Sequence, residues 1–475
     1  MKVVLVRPPF YALFGVTTPK MKTYPLNVLG LATYVRDRAG YDAAVVDGEN
    51  ISIPGFTPER DPNRDPEQAM HAGIPRMVKV LEDPNHPLWQ EMERLITVQA
   101  PDLVGITCNS GNMDTVRRIV DRLKAHGMPV ILGGSHPTVL PEQSLIYTGA
   151  DLAAIGEGEH TLAAVMDALD GRGPIADIPS LAFRRDGEVT VRARGNLIAD
   201  LDSLPIPDRS LLRRDDYFGE VILTGRGCPF NCSYCASRNI WGRKVRLRST
   251  ASIIDELELL AAGAETGPEP RPGRWVVKIV DDTFTVSRKR TLELLDRIID
   301  RKLNRFEFTG GVRADTLDDE LVQRMREANF RRVTLGVESG SPRILAKIRK
   351  GETNDDVKRA VALLRSAGIH SHAFFMIGLP GETPEDIQLS KDLISEAQPD
   401  HVEINMVTPY PGTDIFSELI PENPLQIDRW YRWFHQGMST HSERLGYDLD
   451  KAYDDFLEFA RNYHALRAPI ALNPA

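Results

Sequence analysis

Between Val221 and Val407 the chain carries six short apolar runs rich in β-branched and aromatic residues. They are Val221 to Leu223, Trp275 to Val280, Phe306 to Phe308, Val333 to Val337, Ala373 to Ile377 and Val402 to Val407, with helical patterns between them. Runs of strand length at this spacing specify repeated βα units, because parallel neighbours can be joined only by a long crossover, which is usually a helix. Six of them predict a (β/α)6 partial TIM barrel over residues 217–413. In such a barrel the chemistry is built on the loops that leave the C-terminal ends of the strands. Here every run is followed at once by polar or glycine-rich sequence: TGRGCPFNCSYCAS, Asp281-Asp282, GGVRAD, Glu338-Ser339-Gly340, GLPGET and TPYPGT.

The first 170 residues alternate strand-like and helical patterns, which predicts an α/β fold with a Rossmann-like, doubly wound parallel sheet. Its strands are expected at Val3 to Val6, Ala43 to Val46, Leu103 to Thr107, Val130 to Leu132 and Leu152 to Ile155, with helices at Asn27 to Arg38 and Met113 to His126. Ile51 to Pro87 is rich in proline and charge and reads as an insertion over the sheet edge. Residues 171–216 read as a linker ending in LPIPDRS, and 414–475 as a small helical cap with Trp430, Tyr431, Trp433 and Phe434 clustered. Doubly wound sheets bind ligands where their strands end, which singles out Cys108, Ser110, Gly133, Gly134 and His136. No G-x-G-x-x-G follows the first strand, so a nicotinamide or flavin dinucleotide is disfavoured.

Four cysteines in 475 residues cannot be a disulfide framework, and three of them fall between Cys228 and Cys235. No apolar run approaches the roughly 20 residues of a membrane span, and MKVVLV opens a strand rather than a signal peptide, so a cytoplasmic protein is expected, with no membrane partner. The formal net charge of −9 argues against a dedicated nucleic-acid binder. Cys228-x3-Cys232-x2-Cys235 supplies three thiolates from one loop, whereas structural zinc and self-contained ferredoxin clusters want four ligands. Three thiolates on a cubane leave one iron open to a substrate or cosubstrate. The alternative is a zinc knuckle completed by a distant histidine. The run Arg243-Lys244-Val245-Arg246-Leu247-Arg248 reads as a solvated edge rather than a nucleic-acid surface, with a contact to anionic cofactor groups near the domain junction as a third option.

The loop GRGCPFNCSYCAS resembles the signature of the radical S-adenosylmethionine (radical SAM) superfamily, with Tyr234 in its aromatic position. PLNVLGLATYVRDRAGYDAAVVDGEN, PDLVGIT, VILGGSHPTVLPE and AAIGEGEHT resemble the cobalamin-binding domain that precedes many such enzymes. The resemblance implies that Cys228, Cys232 and Cys235 hold a 4Fe-4S cluster. Its open iron would chelate SAM, and an electron from a donor such as flavodoxin or ferredoxin would cleave SAM to a 5'-deoxyadenosyl radical that takes hydrogen from a small-molecule substrate.

Carried over by position, Tyr234 would lie near the adenine and Asp281-Asp282 would meet the SAM amino group. Arg313 and Glu338 would contact the SAM carboxylate and ribose, and Ile377, Gly378 and Pro380 in GLPGET would form the adenine wall. Ser110, Gly133, Gly134 and His136 would face cobalamin, although the D-x-H-x-x-G motif that supplies a lower-face histidine is absent. Tyr217, Glu220 and Cys108 are the candidate donors or bases. The leading expectation is cobalamin-dependent C-methylation of a natural-product or cofactor substrate. The alternative is a cobalamin-independent dehydration, epimerisation or cyclisation of a sugar-like substrate, with the N-terminal domain as scaffold. Substrate recognition is expected from the 51–87 insertion, the barrel interior and the C-terminal aromatic cap.

Overall fold

A computed structural model describes residues 1–15, 23–51, 53, 66–265, 275–420, 423–433 and 440–467. Its strands in chain order are β1 (Lys2–Arg7), β2 (Asp42–Asp47), β3 (Leu103–Thr107), β4 (Val130–Gly133), β5 (Leu152–Ala154), β6 (Leu181–Arg185), β7 (Glu188–Val191), β8 (Glu220–Ile222), β9 (Gly225–Arg226), β10 (Arg246–Leu247), β11 (Val276–Ile279), β12 (Glu307–Val312), β13 (Phe330–Glu338), β14 (His370–Ile377) and β15 (His401–Met406).

The N-terminal sheet has the order β2-β1-β3-β4-β5-β6-β7, and its first five strands are parallel. Helices cover both faces, which is why β1 and β3 are continuous apolar runs rather than alternating ones. Helices Leu26–Asp37 and Glu159–Leu169 pack Val28, Ala32, Leu162 and Val165 on Val3, Leu5 and Ile131. Helices Pro87–Thr97 and Met113–Ala125 pack Trp89, Met92, Val116 and Ile119 on Val4, Val6 and Val104. The strand order reverses between β1 and β3, and this switch point opens a crevice at the strand ends.

Two parts of the N-terminal half differ from the sequence reading. Residues 171–216, read as a linker, contain the hairpin β6-β7, which extends the sheet antiparallel to β5. Its turn is Asp186-Gly187, with both residues at positive φ (52° and 87°), the backbone a two-residue hairpin turn demands. Part of the 51–87 insertion is a helix, Pro66–Glu82, which buries Met77, Val80 and Leu81. Residues 52 and 54–65 of that insertion, and Phe434 of the aromatic cluster, lie outside the described residues.

The second sheet runs β15-β14-β13-β12-β11-β8 with every pairing parallel, which is the partial barrel of six βα units. Alternation divides its residues between two faces. Val277, Ile279, Val333, Leu335, Ala373, Phe375, Val402 and Ile404 pack on the outer helices, while Lys278, Thr309, Arg332, Thr334, His372, Glu403 and Asn405 take the interior face. The C-terminal segment is not one cap. Phe416, Leu419, Trp430 and Trp433 join the core of the N-terminal domain, whereas helix Leu449–Ala465 packs Tyr453 and Phe456 on the barrel. Among the described residues no helix is long and apolar enough to cross a membrane.

Candidate active site and the cleft between the domains

The cysteine loop is tied off at its base by β9 pairing antiparallel with β10, so Cys228, Cys232 and Cys235 project from a closed loop after β8. The loop is held from outside by Ser233, whose N–H donates to the Ile348 carbonyl (2.9 Å) and whose carbonyl accepts from Asp414 N–H (3.0 Å). The three thiols feel one another. Burial pushes Cys235 up to about 11, and Cys232, Asp282 and Cys228 push it further the same way. Burial also raises Cys232, against the pull of Lys350 and Arg313, whose positive charges favour its thiolate. Among the described residues no three His, Cys, Asp or Glu side chains gather around a point the size of a single ion. A zinc knuckle would need its ligands around one metal. A cubane takes each thiolate on a different iron, and three thiols from one loop can supply three of its four corners.

Around this loop the strand ends bring several anticipated residues together. The Tyr234 hydroxyl donates to Glu338 Oε1 at 2.9 Å, and Lys350 Nζ reaches the same oxygen at 3.1 Å. Glu338 sits at φ 69°, a left-handed conformation that costs a non-glycine residue energy. Lys350 also pairs with Glu352 at 3.0 Å. Burial works against its charge, but Glu338 and Glu352 outweigh that and raise its pKa. Tyr234 packs against an apolar cluster that includes Leu379, Val407, Ile344 and Met376. Ile377, Gly378 and Pro380 are buried in the following turn. There Gly378 N–H donates to Glu382 Oε2 (2.6 Å) and its carbonyl lies 2.9 Å from His441 Nε2.

Other candidates are already occupied. Asp281 accepts from Thr224 N–H at 2.6 Å and from the Thr224 hydroxyl, so it clamps the turn after β8. Its neighbour Asp282 is exposed beside Gly227 N–H at 3.1 Å. Arg313 is forked onto Asp315 (3.0 and 2.8 Å), donates to the Lys350 carbonyl and lies 3.7 Å over the Phe230 ring. It braces the cysteine loop and has no free fork to offer a carboxylate.

The three candidate donors or bases are structural. Glu220 is the first residue of β8, buried between Arg214 (2.8 Å) and Arg209 (3.7 Å). Tyr217 donates to Asp47 Oδ2 at 2.6 Å and stacks on Tyr24, so its hydroxyl is committed to the junction with the N-terminal domain. Cys108 is buried against Met113 Sδ (3.1 Å), and burial raises its thiol pKa far from any useful value.

A cleft of about 420 Å³ opens between the two domains. One wall is the N-terminal sheet: Leu5, Gly105, Ile131 and Gly133 to Ser135, with helix Leu26–Asp37 and the Gly156 to Glu159 turn. The other wall is the barrel side, with Leu223, Arg226, Trp241, Arg248 and Val280. Gly133 and Gly134 line it as anticipated, and a Cβ at Gly133 would meet nothing within 4 Å. Ser110 and His136 are not among its lining residues. They are buried 2.8 Å apart, with His136 Nε2 2.8 Å from Gln143 and its ring edge-on to Trp430. Burial lowers His136 to about 4, so it stays neutral.

The junction was missed at the sequence level. Arg226 forks onto Glu157 (2.6 Å) and Glu159 (2.5 Å), and Arg246 onto Glu157 (2.7 Å). Arg248 pairs with Glu256 (2.5 Å). Half of the basic run thus faces inward, not to solvent. The available signal was the close repeat of Gly and Glu at 156–159 facing arginines on the other domain.

Comparison with known proteins agrees with this geometry. The radical SAM superfamily model matches residues 222–394 and the B12 binding domain model residues 67–166. An uncharacterized methyltransferase of Pyrococcus horikoshii is 30% identical over 96% of this chain and 92% of its own. An anaerobic magnesium-protoporphyrin IX monomethyl ester cyclase of Rubrivivax gelatinosus is 28% identical over 80% of this chain and 69% of its own. The structure of TsrM, a radical S-adenosylmethionine methyltransferase from Kitasatospora setae, solved with tryptophan and aza-SAM, shares the fold. Its TM-score is 0.69 at 22% identity, over 88% of this chain and 75% of that one. The chain belongs to the radical SAM superfamily of enzymes, in the class that carries a B12-binding domain ahead of the partial barrel.

Proposed function

We propose that this enzyme is a cobalamin-dependent C-methyltransferase acting on a small molecule. The observation that carries the reading is the shared cleft: Arg226 in its wall is two residues from Cys228, and Val280 in the same wall directly precedes Asp281-Asp282. When bound, the cluster and SAM supply a hydrogen-abstracting radical and the corrinoid supplies a methyl group. Cys228, Cys232 and Cys235 would hold the cluster, and Lys350 and Arg313 favour the thiolate form of Cys232. Asp282 is the exposed carboxylate for the SAM ammonium. Glu338, oriented by Tyr234 and Lys350, is the acceptor for ribose hydroxyls. Gly105 and Gly133, with no side chains in the way, let a bulky cofactor tail lie on the sheet edge.

The thiols need a reducing compartment, which supports a cytoplasmic enzyme, and the radical step calls for an electron donor such as a flavodoxin or ferredoxin. Cyclisation is the second reading, favoured by the likeness to the R. gelatinosus cyclase. The donors that a cobalamin-independent route would draw on, Tyr217 and Cys108, are committed to packing and hydrogen bonds. Anaerobically purified protein supplied with iron, sulfide and hydroxocobalamin is expected to retain corrinoid and to release 5'-deoxyadenosine from SAM under reductant. Fully loaded protein that leaves SAM intact would end the radical reading. A loaded cluster without corrinoid uptake would end methyl transfer.

A further inference from the structure

The interior face of the barrel sheet carries two cations that share one carboxylate neighbour, Glu403. Lys278 on β11 and Arg332 on β13 stand in one register row, each paired across Thr309 of β12. Both point inward, because Val277, Ile279 and Val333 beside them pack outward on the helices. Among the described residues neither side chain makes a hydrogen bond or an ion pair, although other charged groups line the same interior. Glu403 on β15 is a carboxylate that faces both cations; it accepts from Asn405 Nδ2 (3.4 Å) and lies 3.2 Å from His372 Nε2. Glu307, two residues before Thr309 on the same face of β12, lies 3.9 Å from Arg331; His370, His372 and His401 stand close together beside Arg332, and burial together with their positive neighbours keeps His401 at about 3. Two cations thus share one carboxylate on this face of the sheet. Arg332 is half-buried and Lys278 is exposed on that face, so both charges are open to an anionic group that the neighbouring side chains do not supply.

We infer that the barrel interior is an oxyanion subsite, in which Lys278 and Arg332 grip a carboxylate or phosphoryl group of the substrate. Thr309, between them in the row, supplies a hydroxyl donor, and Glu403 excludes a second anion. The guanidinium fork of Arg332 suits a planar or tetrahedral oxyanion, and the Lys278 ammonium adds a point charge. The inference names the substrate class and rests on the proposed function for its meaning, but not for its test.

The test is a calorimetric titration of the anaerobically prepared holoenzyme with inorganic phosphate, and separately with acetate, at low ionic strength. At least one anion is expected to bind. Lys278→Met and Arg332→Met should each weaken it tenfold or more, while Lys347→Met on the surface should not change it. Preference for phosphate or for acetate identifies the phosphoryl or the carboxylate form. Because each variant also removes an unpaired charge, its thermal midpoint without anion should equal or exceed that of the wild type, which confirms folding in the same samples. Absence of binding by both anions, or equal affinity in all variants, overturns the inference. A fall in the midpoint of both methionine variants does so too, since it would give the cations a structural partner. SAM cleavage by the wild type is measured in parallel, so a failed subsite and a failed radical reading give different results.

Discussion

Glu338 is held by a phenol, an ammonium and a strained backbone at once. Its positive φ turns the carboxylate back toward the cysteine loop, and Tyr234 and Lys350 fix it there. Gly336 has no room for a side chain, since a Cβ there would lie 2.6 Å from Glu338 Oε1. Tyr234→Phe removes one hydrogen bond to a buried carboxylate. It should cost about 1 to 3 kcal/mol of stability by urea denaturation and weaken SAM in an equilibrium titration. Unchanged SAM affinity would remove Tyr234 and Glu338 from the cofactor site. At this scale the cysteine loop, Tyr234 and Glu338 were named from spacing and resemblance, and the fold brings Tyr234 and Glu338 into hydrogen-bond contact. Tyr217, Glu220 and Cys108 were misread because a polar side chain near a strand end looks the same in sequence whether it faces a cavity or a buried ion pair.

At the scale of elements, the turn after β14 carries a titrating latch. Glu382 accepts from Gly378 N–H (2.6 Å), Leu379 N–H (3.3 Å) and the Tyr447 hydroxyl (3.0 Å), tying the turn to the C-terminal segment. Burial raises its carboxyl to about 7 from an ordinary 4.5, so the folded chain holds this proton more tightly than the unfolded one. That stabilisation is complete below about pH 4.5 and is lost as pH rises through 7. Glu382→Gln cannot lose the proton, so its stability relative to wild type should shift across that window by on the order of 3 kcal/mol. Parallel pH dependences of the two unfolding curves would contradict it. The end of β4 offers a second test. Gly133 has no positive φ and an open Cβ direction, so Gly133→Leu should leave the fold and the iron content intact while filling the cleft. Corrinoid retention, read by absorption after gel filtration, is expected to fall severalfold. The strands themselves were readable because β-branched apolar runs have few other uses. The β6-β7 hairpin was passed over although Asp186-Gly187 marks its turn, because the following prolines drew the whole segment into a linker.

For the molecule as a whole, the domain junction is a small set of buried ion pairs around the cleft. Arg226 reaches from beside the cysteine loop to Glu157 and Glu159 on the N-terminal sheet. Tyr217 reaches from the barrel entrance to Asp47, which Arg7 also holds. Breaking one side of such a pair strands a buried carboxylate. Arg226→Met should therefore cost about 3 kcal/mol or more and reduce corrinoid retention, with iron content preserved. A variant that loses iron and corrinoid together would show that Arg226 supports the cysteine loop instead.

The chain's own order of residues determined the two α/β units, the strands within them and the loop that carries three thiolates, because periodicity and ligand spacing are local properties. Which charges meet across the junction was decided only when the two units packed, as was the burial of His136 under Trp430. The two barrel cations that share Glu403 belong to the same category. Those outcomes depend on contacts between residues far apart in the chain, and burial, not residue type, determines whether a polar group binds a ligand or braces the fold.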